Sequence, residues 1–180
     1  AFLSSAGFLA LHALATPGVL LDKANTGFLI ATPVGVGLGS IFAALSTADF
    51  TGDSAVRNVQ IGRLLRWVLL GLMLLWAVWS LAGLPPLDRP PQFAERFPLW
   101  LAVPAVLLYA GSAVRYIQLW RRHQSLMLLA VPSAFVLLAE SMVAIAFARN
   151  WHLSWWEWHV LMLVAFGLVA LSARASWREE

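Results

Sequence analysis

The chain of 180 residues has no cysteine, and Lys23 is its single lysine. The first absence removes disulfides, thiolate nucleophiles and thiolate metal ligands. The second leaves no lysine inside an apolar run to form a Schiff base, since Lys23 lies in a polar connection. Charge is scarce as well, at 12% of residues against 61% hydrophobic. No Walker loop, dinucleotide fingerprint or Ser-His-Asp spacing is present, and no catalytic centre is expected within the chain. Ten-residue segments of alternating polarity, the mark of a membrane barrel, are missing too.

What remains is hydrocarbon. A mean hydropathy of +0.77 is that of an integral membrane protein rather than a soluble domain. A bilayer core takes about 20 apolar residues per helix, and six such stretches follow one another. They cover residues 2–21, 27–46, 64–84, 99–120, 126–147 and 156–177. The expected fold is all-α, a polytopic transmembrane helix bundle forming one domain over residues 1–180. The chain opens on Ala1 without a basic leader, so a further helix before it would make seven spans. The lipid bilayer is the first partner. The net charge of +3 comes from residues flanking apolar runs and does not point to nucleic acid.

Proline and glycine punctuate these runs. Ala15-Thr16-Pro17-Gly18 ends or kinks the first near Thr16, because proline disfavours helical geometry in the residue before it. The second carries Pro33 and then Gly35, Gly37 and Gly39, a face without bulk that suits close helix packing or, alternatively, a hinge. Between the third and fourth, Pro85-Pro86-Leu87-Asp88-Arg89-Pro90-Pro91 reads as a stiff, extended connector.

Basic residues orient the chain. Arg57, Arg63, Arg66, Arg115, Arg121, Arg122, Arg174 and Arg178 belong to one side, and Lys23, Arg89, Arg96 and Arg149 to the other. The positive-inside rule places the first side, with both ends of the chain, in the cytoplasm of a cell whose inner membrane holds the protein.

On that orientation four groups able to bind or transfer protons fall in the outer half of the bilayer. His12 and His159 lie roughly 6 to 10 Å below the outer surface and Glu140 roughly 12 Å, counting 1.5 Å per residue. Glu157 stands two residues before His159, inside Trp155-Trp156-Glu157-Trp158-His159. An ionisable group at mid-bilayer costs about 3 kcal/mol on insertion scales, so such groups usually face inward and have partners. One expectation is a transition-metal site of His12, Glu140, Glu157 and His159, since imidazole and carboxylate suit zinc, iron or copper. Another is haem b held between His12 and His159. The plainest is that these groups hydrogen-bond across the bundle and specify its packing. His123, beside Arg121 and Arg122, reads as a headgroup contact, whereas His152 lies in an outer loop near the site.

Of ten tryptophans, Trp100, Trp120, Trp151, Trp155, Trp156, Trp158 and Trp177 fall near span ends, as an interfacial aromatic belt requires. Trp67, Trp76 and Trp79 lie at mixed depth in the third run and read as packing residues.

Leu11-His12-Ala13-Leu14-Ala15-Thr16-Pro17-Gly18 and Trp156-Glu157-Trp158-His159-Val160-Leu161-Met162-Leu163-Val164-Ala165-Phe166-Gly167 resemble the membrane input region of bacterial multi-pass sensors, such as those preceding adenylate or guanylate cyclase domains. The resemblance implies a receptor whose last helix continues into a cytoplasmic output domain. No cyclase residues precede Glu180, so it implies no nucleotide cyclisation here. Three functions follow in order: a sensory module that couples a ligand or metal in an outer-leaflet pocket to an inward helix shift, a haem or metal protein of membrane electron transfer, and a structural subunit. A homo-oligomer or a larger membrane complex is the expected assembly.

Overall fold

The computed structural model describes residues 1–47, 54–90, 92, 96–147 and 152–179. Asp49, Asp53, Pro91, Arg149, Trp151 and Glu180 lie outside the described residues. Six helices account for the described chain: α1 (Phe2–Leu14), α2 (Thr26–Ser46), α3 (Ser54–Leu81), α4 (Phe97–His123), α5 (Leu126–Phe147) and α6 (Leu153–Glu179). No β-strand is named among the described residues. Five of the helices are long and apolar enough to cross a membrane.

The first helix is not among the five. The apolar run to residue 21 suggests a full span, but α1 stops at Leu14 after 13 residues. Its last turn closes on itself: the Ala15 N–H donates to the Leu11 carbonyl at 2.9 Å, and the Thr16 hydroxyl donates to the His12 carbonyl at 3.1 Å. Pro17 has no N–H to continue the ladder. The rest of the run is spent in turns, which places His12 in the final turn of its helix. The third helix departs in the other direction, beginning at Ser54 rather than 64 and ending at Leu81 rather than 84. The added residues include Arg57, Asn58, Gln60 and Arg63, which hydropathy discounts but which a helix accommodates.

The proline-rich connector is also not extended. Leu87 and Asp88 donate their N–H groups to the Leu84 carbonyl at 3.0 and 3.2 Å, so the chain turns there. The turn carries the connector over the start of α2, where the Thr26 N–H reaches the Arg89 carbonyl at 2.8 Å and the Gly27 N–H reaches the Leu87 carbonyl at 3.0 Å. These are donors that no carbonyl within α2 can satisfy. Asn25 completes the end: its amide oxygen caps the Phe28 N–H at 2.8 Å, and its Nδ2 donates to the Ser80 carbonyl of α3 at 2.9 Å.

Side-chain pairings fix the helix directions. Ser4 and Phe8 of α1 face Gly35 of α2, while His12 meets Phe28, so α1 and α2 run antiparallel. Tyr109 of α4 donates to the Val36 carbonyl at 3.0 Å and Tyr116 reaches Ser46, so α2 and α4 run parallel. Ser172 of α6 reaches Met127 of α5, an antiparallel pair. The glycine face of α2 works as a packing surface against two partners: Gly35 lies under Phe8 and Ser4 of α1, and Gly37 lies under Leu101 of α4. The core gathers around Tyr109, Phe135, Leu138, Met142 and Met162, each no more than 1% exposed. By contrast α3 stands at the edge: 11% of its apolar stretch is buried, against 50% for α2. An apolar crevice of about 320 Å³ separates its Leu72, Leu75 and Trp76 from Val34 and Leu38 of α2.

One end of the bundle therefore collects the C-terminus of α1, the N-terminus of α2, the C-terminus of α3 and the N-terminus of α6. The functional candidates sit there.

Candidate histidine site between the first and last helices

His12 owes its position to the early stop of α1. It is 9% exposed, and its ring stacks on Phe28 with centroids 4.3 Å apart and planes at 16°. Its Nδ1 lies 3.0 Å from the Phe28 carbonyl oxygen. A carbonyl oxygen only accepts, so the proton of that bond is on Nδ1, and in the neutral ring Nε2 is left as a bare lone pair. The same logic holds in α6: the half-buried His159 donates from Nδ1 to the Trp155 carbonyl one turn back, at 2.7 Å. The two ring centroids are 6.5 Å apart, with planes at 55°. Neither Nε2 has a hydrogen-bond partner among the described residues.

Indoles enclose the pair. Trp158 is 4% exposed, stacks on His159 at 3.5 Å and meets His12 edge-on at 5.8 Å. Trp155 packs 4.2 Å from His159. Trp158 thus belongs to the interior rather than to an interfacial belt. It lies on the inward stripe of α6 with Met162, Ala165 and Ser172, which recur at helical spacing. Trp100, Trp156 and Trp177 are exposed at 81%, 54% and 85%, and sit where a belt would place them in the sequence.

The carboxylates do not join the histidines. Glu140 is exposed, on a stripe of α5 with Val136, Val143 and Phe147, while Leu138, Ser141 and Met142 face inward. Glu157 is exposed as well, because two residues before His159 is roughly 200° around a helix of 3.6 residues per turn. No group of three or more His, Cys, Asp or Glu able to hold a metal occurs among the described residues. The four-ligand site expected from the sequence is therefore not assembled, and what converges is an imidazole pair. His152 and His123 are exposed.

Haem b fits poorly. Two axial imidazoles need a porphyrin plane between them, and Trp158 packs against both rings. A second polar cluster was not foreseen: Ser5 of α1 and Tyr109 of α4 both crowd the Gly39 backbone of α2, with Tyr109 fully buried.

Comparisons with protein-family models, curated proteins and solved structures found no match.

Proposed function

We propose that this chain is a membrane-embedded sensory module in which the His12–His159 contact responds to a bound species and α6 carries the response across the bilayer. The observation behind it is the imidazole pair itself. Two rings from the first and last helices meet among indoles, each with Nδ1 held by a backbone carbonyl and each with a spare Nε2. The five long apolar helices support insertion in a membrane. The end holding the histidines carries Lys23, Arg89 and Arg96, while Arg63, Arg66, Arg121, Arg122, Arg174 and Arg178 gather towards the other. The rule that loops rich in Arg and Lys stay in the cytoplasm then sets the pair in the outer leaflet. Because α1 is short and meets α6 at its very last turn, a ligand that favours one spacing of the two rings biases the position of α6. The chain acts within a homo-oligomer or a larger membrane complex.

The test is a fusion in which α6 runs without interruption into a cytoplasmic reporter whose output depends on helix position. His12→Ala and His159→Ala are compared with the parent at equal membrane content. Coupling of about 1 to 3 kcal/mol between site and output corresponds to a change of about 5- to 150-fold, the range typical of allosteric coupling. A shift of at least the lower figure in both variants is expected. Equal output from all three proteins would remove the sensory reading.

A further inference from the structure

We infer that the His12–His159 pair binds one cuprous ion, Cu(I), through the two Nε2 atoms. The inference deepens the sensory reading by naming what the site takes, and it rests on that reading only for its biological meaning.

Geometry favours a bridge of low coordination number. A metal–nitrogen bond to imidazole is about 2 Å. Adding the roughly 1.1 Å from ring nitrogen to ring centre, a linear N–metal–N unit sets the centroids about 6.2 Å apart and a tetrahedral one about 5 Å. The observed 6.5 Å lies beside the linear value. A 55° angle between the planes is no obstacle, because each ring rotates freely about a linear axis. Two-coordinate, near-linear binding is a habit of monovalent d¹⁰ ions. Zinc(II) and iron(II) instead seek four or more donors.

Donor chemistry permits it. Imidazole accepts copper as it accepts zinc, iron and nickel, so the low coordination number rather than the donor type selects Cu(I). Metal-bound histidines almost always donate the other ring N–H to a carbonyl, a carboxylate or water, which fixes the tautomer and the aim of the ring. Both histidines have that partner already, Phe28 for one and Trp155 for the other. Charge points the same way. Among the described residues Glu140 and Glu157 are exposed and do not join the pair, so a divalent ion in this partly buried place would find less compensation than a monovalent one. A single positive charge is less costly there than a double one.

The experiment uses the full chain, purified in detergent under anaerobic conditions and titrated with Cu(I) against bicinchoninate as competing chelator. One Cu(I) per chain is expected. His12→Ala and His159→Ala should each weaken binding by about a hundredfold or more, exceeding the 10- to 100-fold cost of losing an outer partner of a ligand. His123→Ala and His152→Ala should leave it unchanged, and Zn(II), which seeks four donors, should bind more weakly than Cu(I). Copper X-ray absorption on the unaltered protein decides the matter without any variant: two nitrogen donors at about 2 Å are expected. No stoichiometric copper, a site of four donors, Zn(II) binding as tight as Cu(I), or copper retained undiminished in both alanine variants would overturn the inference. Reporter output that depends on both histidines in a protein that takes up no Cu(I) would overturn it while leaving the sensory reading in place.

Discussion

Gly35→Val is expected to detach α1 from the bundle. A Cβ at residue 35 would overlap the Phe8 Cβ and come within 3.1 Å of the Ser4 carbonyl oxygen. Neither is the far end of a flexible side chain, so α1 as a whole must move. The displacement also breaks the bond from the Ser4 hydroxyl to the Gly35 carbonyl, 2.9 Å long and fully buried. Overpacking costs about 1 to 3 kcal/mol and a buried hydrogen bond about 1 more, so a loss of roughly 2 to 4 kcal/mol is expected. Thermal unfolding in detergent measures it. Gly71→Val on α3 is the control, since a Cβ there meets nothing within 4 Å and its midpoint should hold. The consequence reaches the site, because His12 is carried by the same short helix. Gly35→Val should therefore lose the imidazole pair even where the rest of the bundle survives.

Phe135→Ala is the second large effect. Phe135 is 1% exposed and stands among three rings, Phe2 of α1 and Tyr109 and Tyr116 of α4, each 5.6 Å away. In a soluble core such a truncation costs about 3 to 5 kcal/mol, part for transfer from water and part for the cavity. Within a bilayer the transfer part shrinks, since lipid is as apolar as the core, while the lost dispersion contacts remain. A cost near the lower end, about 3 kcal/mol, is expected. Val136→Ala, on the exposed stripe of α5, should stay within about 0.5 kcal/mol. Equal effects at residues 135 and 136 would mean that α5 is rotated from the arrangement described.

The contrast between these neighbours shows what could be read from the sequence. Depth along each helix was legible in part: Pro17 marks where α1 stops, although the apolar runs overstate α1 and understate α3. His12 and His159 were accordingly placed at one level, and their rings meet. Rotation about each axis was not legible, because runs apolar on every side carry no periodic signal for the inward face. Glu140 suffered from this: counting along the sequence sets it near the level of the histidines, yet it is exposed. Trp158 suffered in the opposite sense, taken for an interfacial ring although it packs against both imidazoles. Helix ends outside the apolar windows were invisible for another reason. Residues 54–63 at the start of α3 are polar enough to end an apolar window, yet their backbone is helical. The connector after α3 was read from its prolines as extended, whereas the unpaired N–H groups at the start of α2 draw its carbonyls into a turn.

The meeting of α1 with α6 is the claim on which the sensory reading and the copper site both stand. The absence of native cysteine makes it directly testable. In the double variant His12→Cys/His159→Cys, dibromobimane in reconstituted membranes becomes strongly fluorescent only when one molecule links both thiols. A fluorescent, intramolecularly linked chain is expected in the double variant, and no such signal from either single variant. Two thiols that react with monofunctional reagents yet are never bridged by the bimane would contradict the claim.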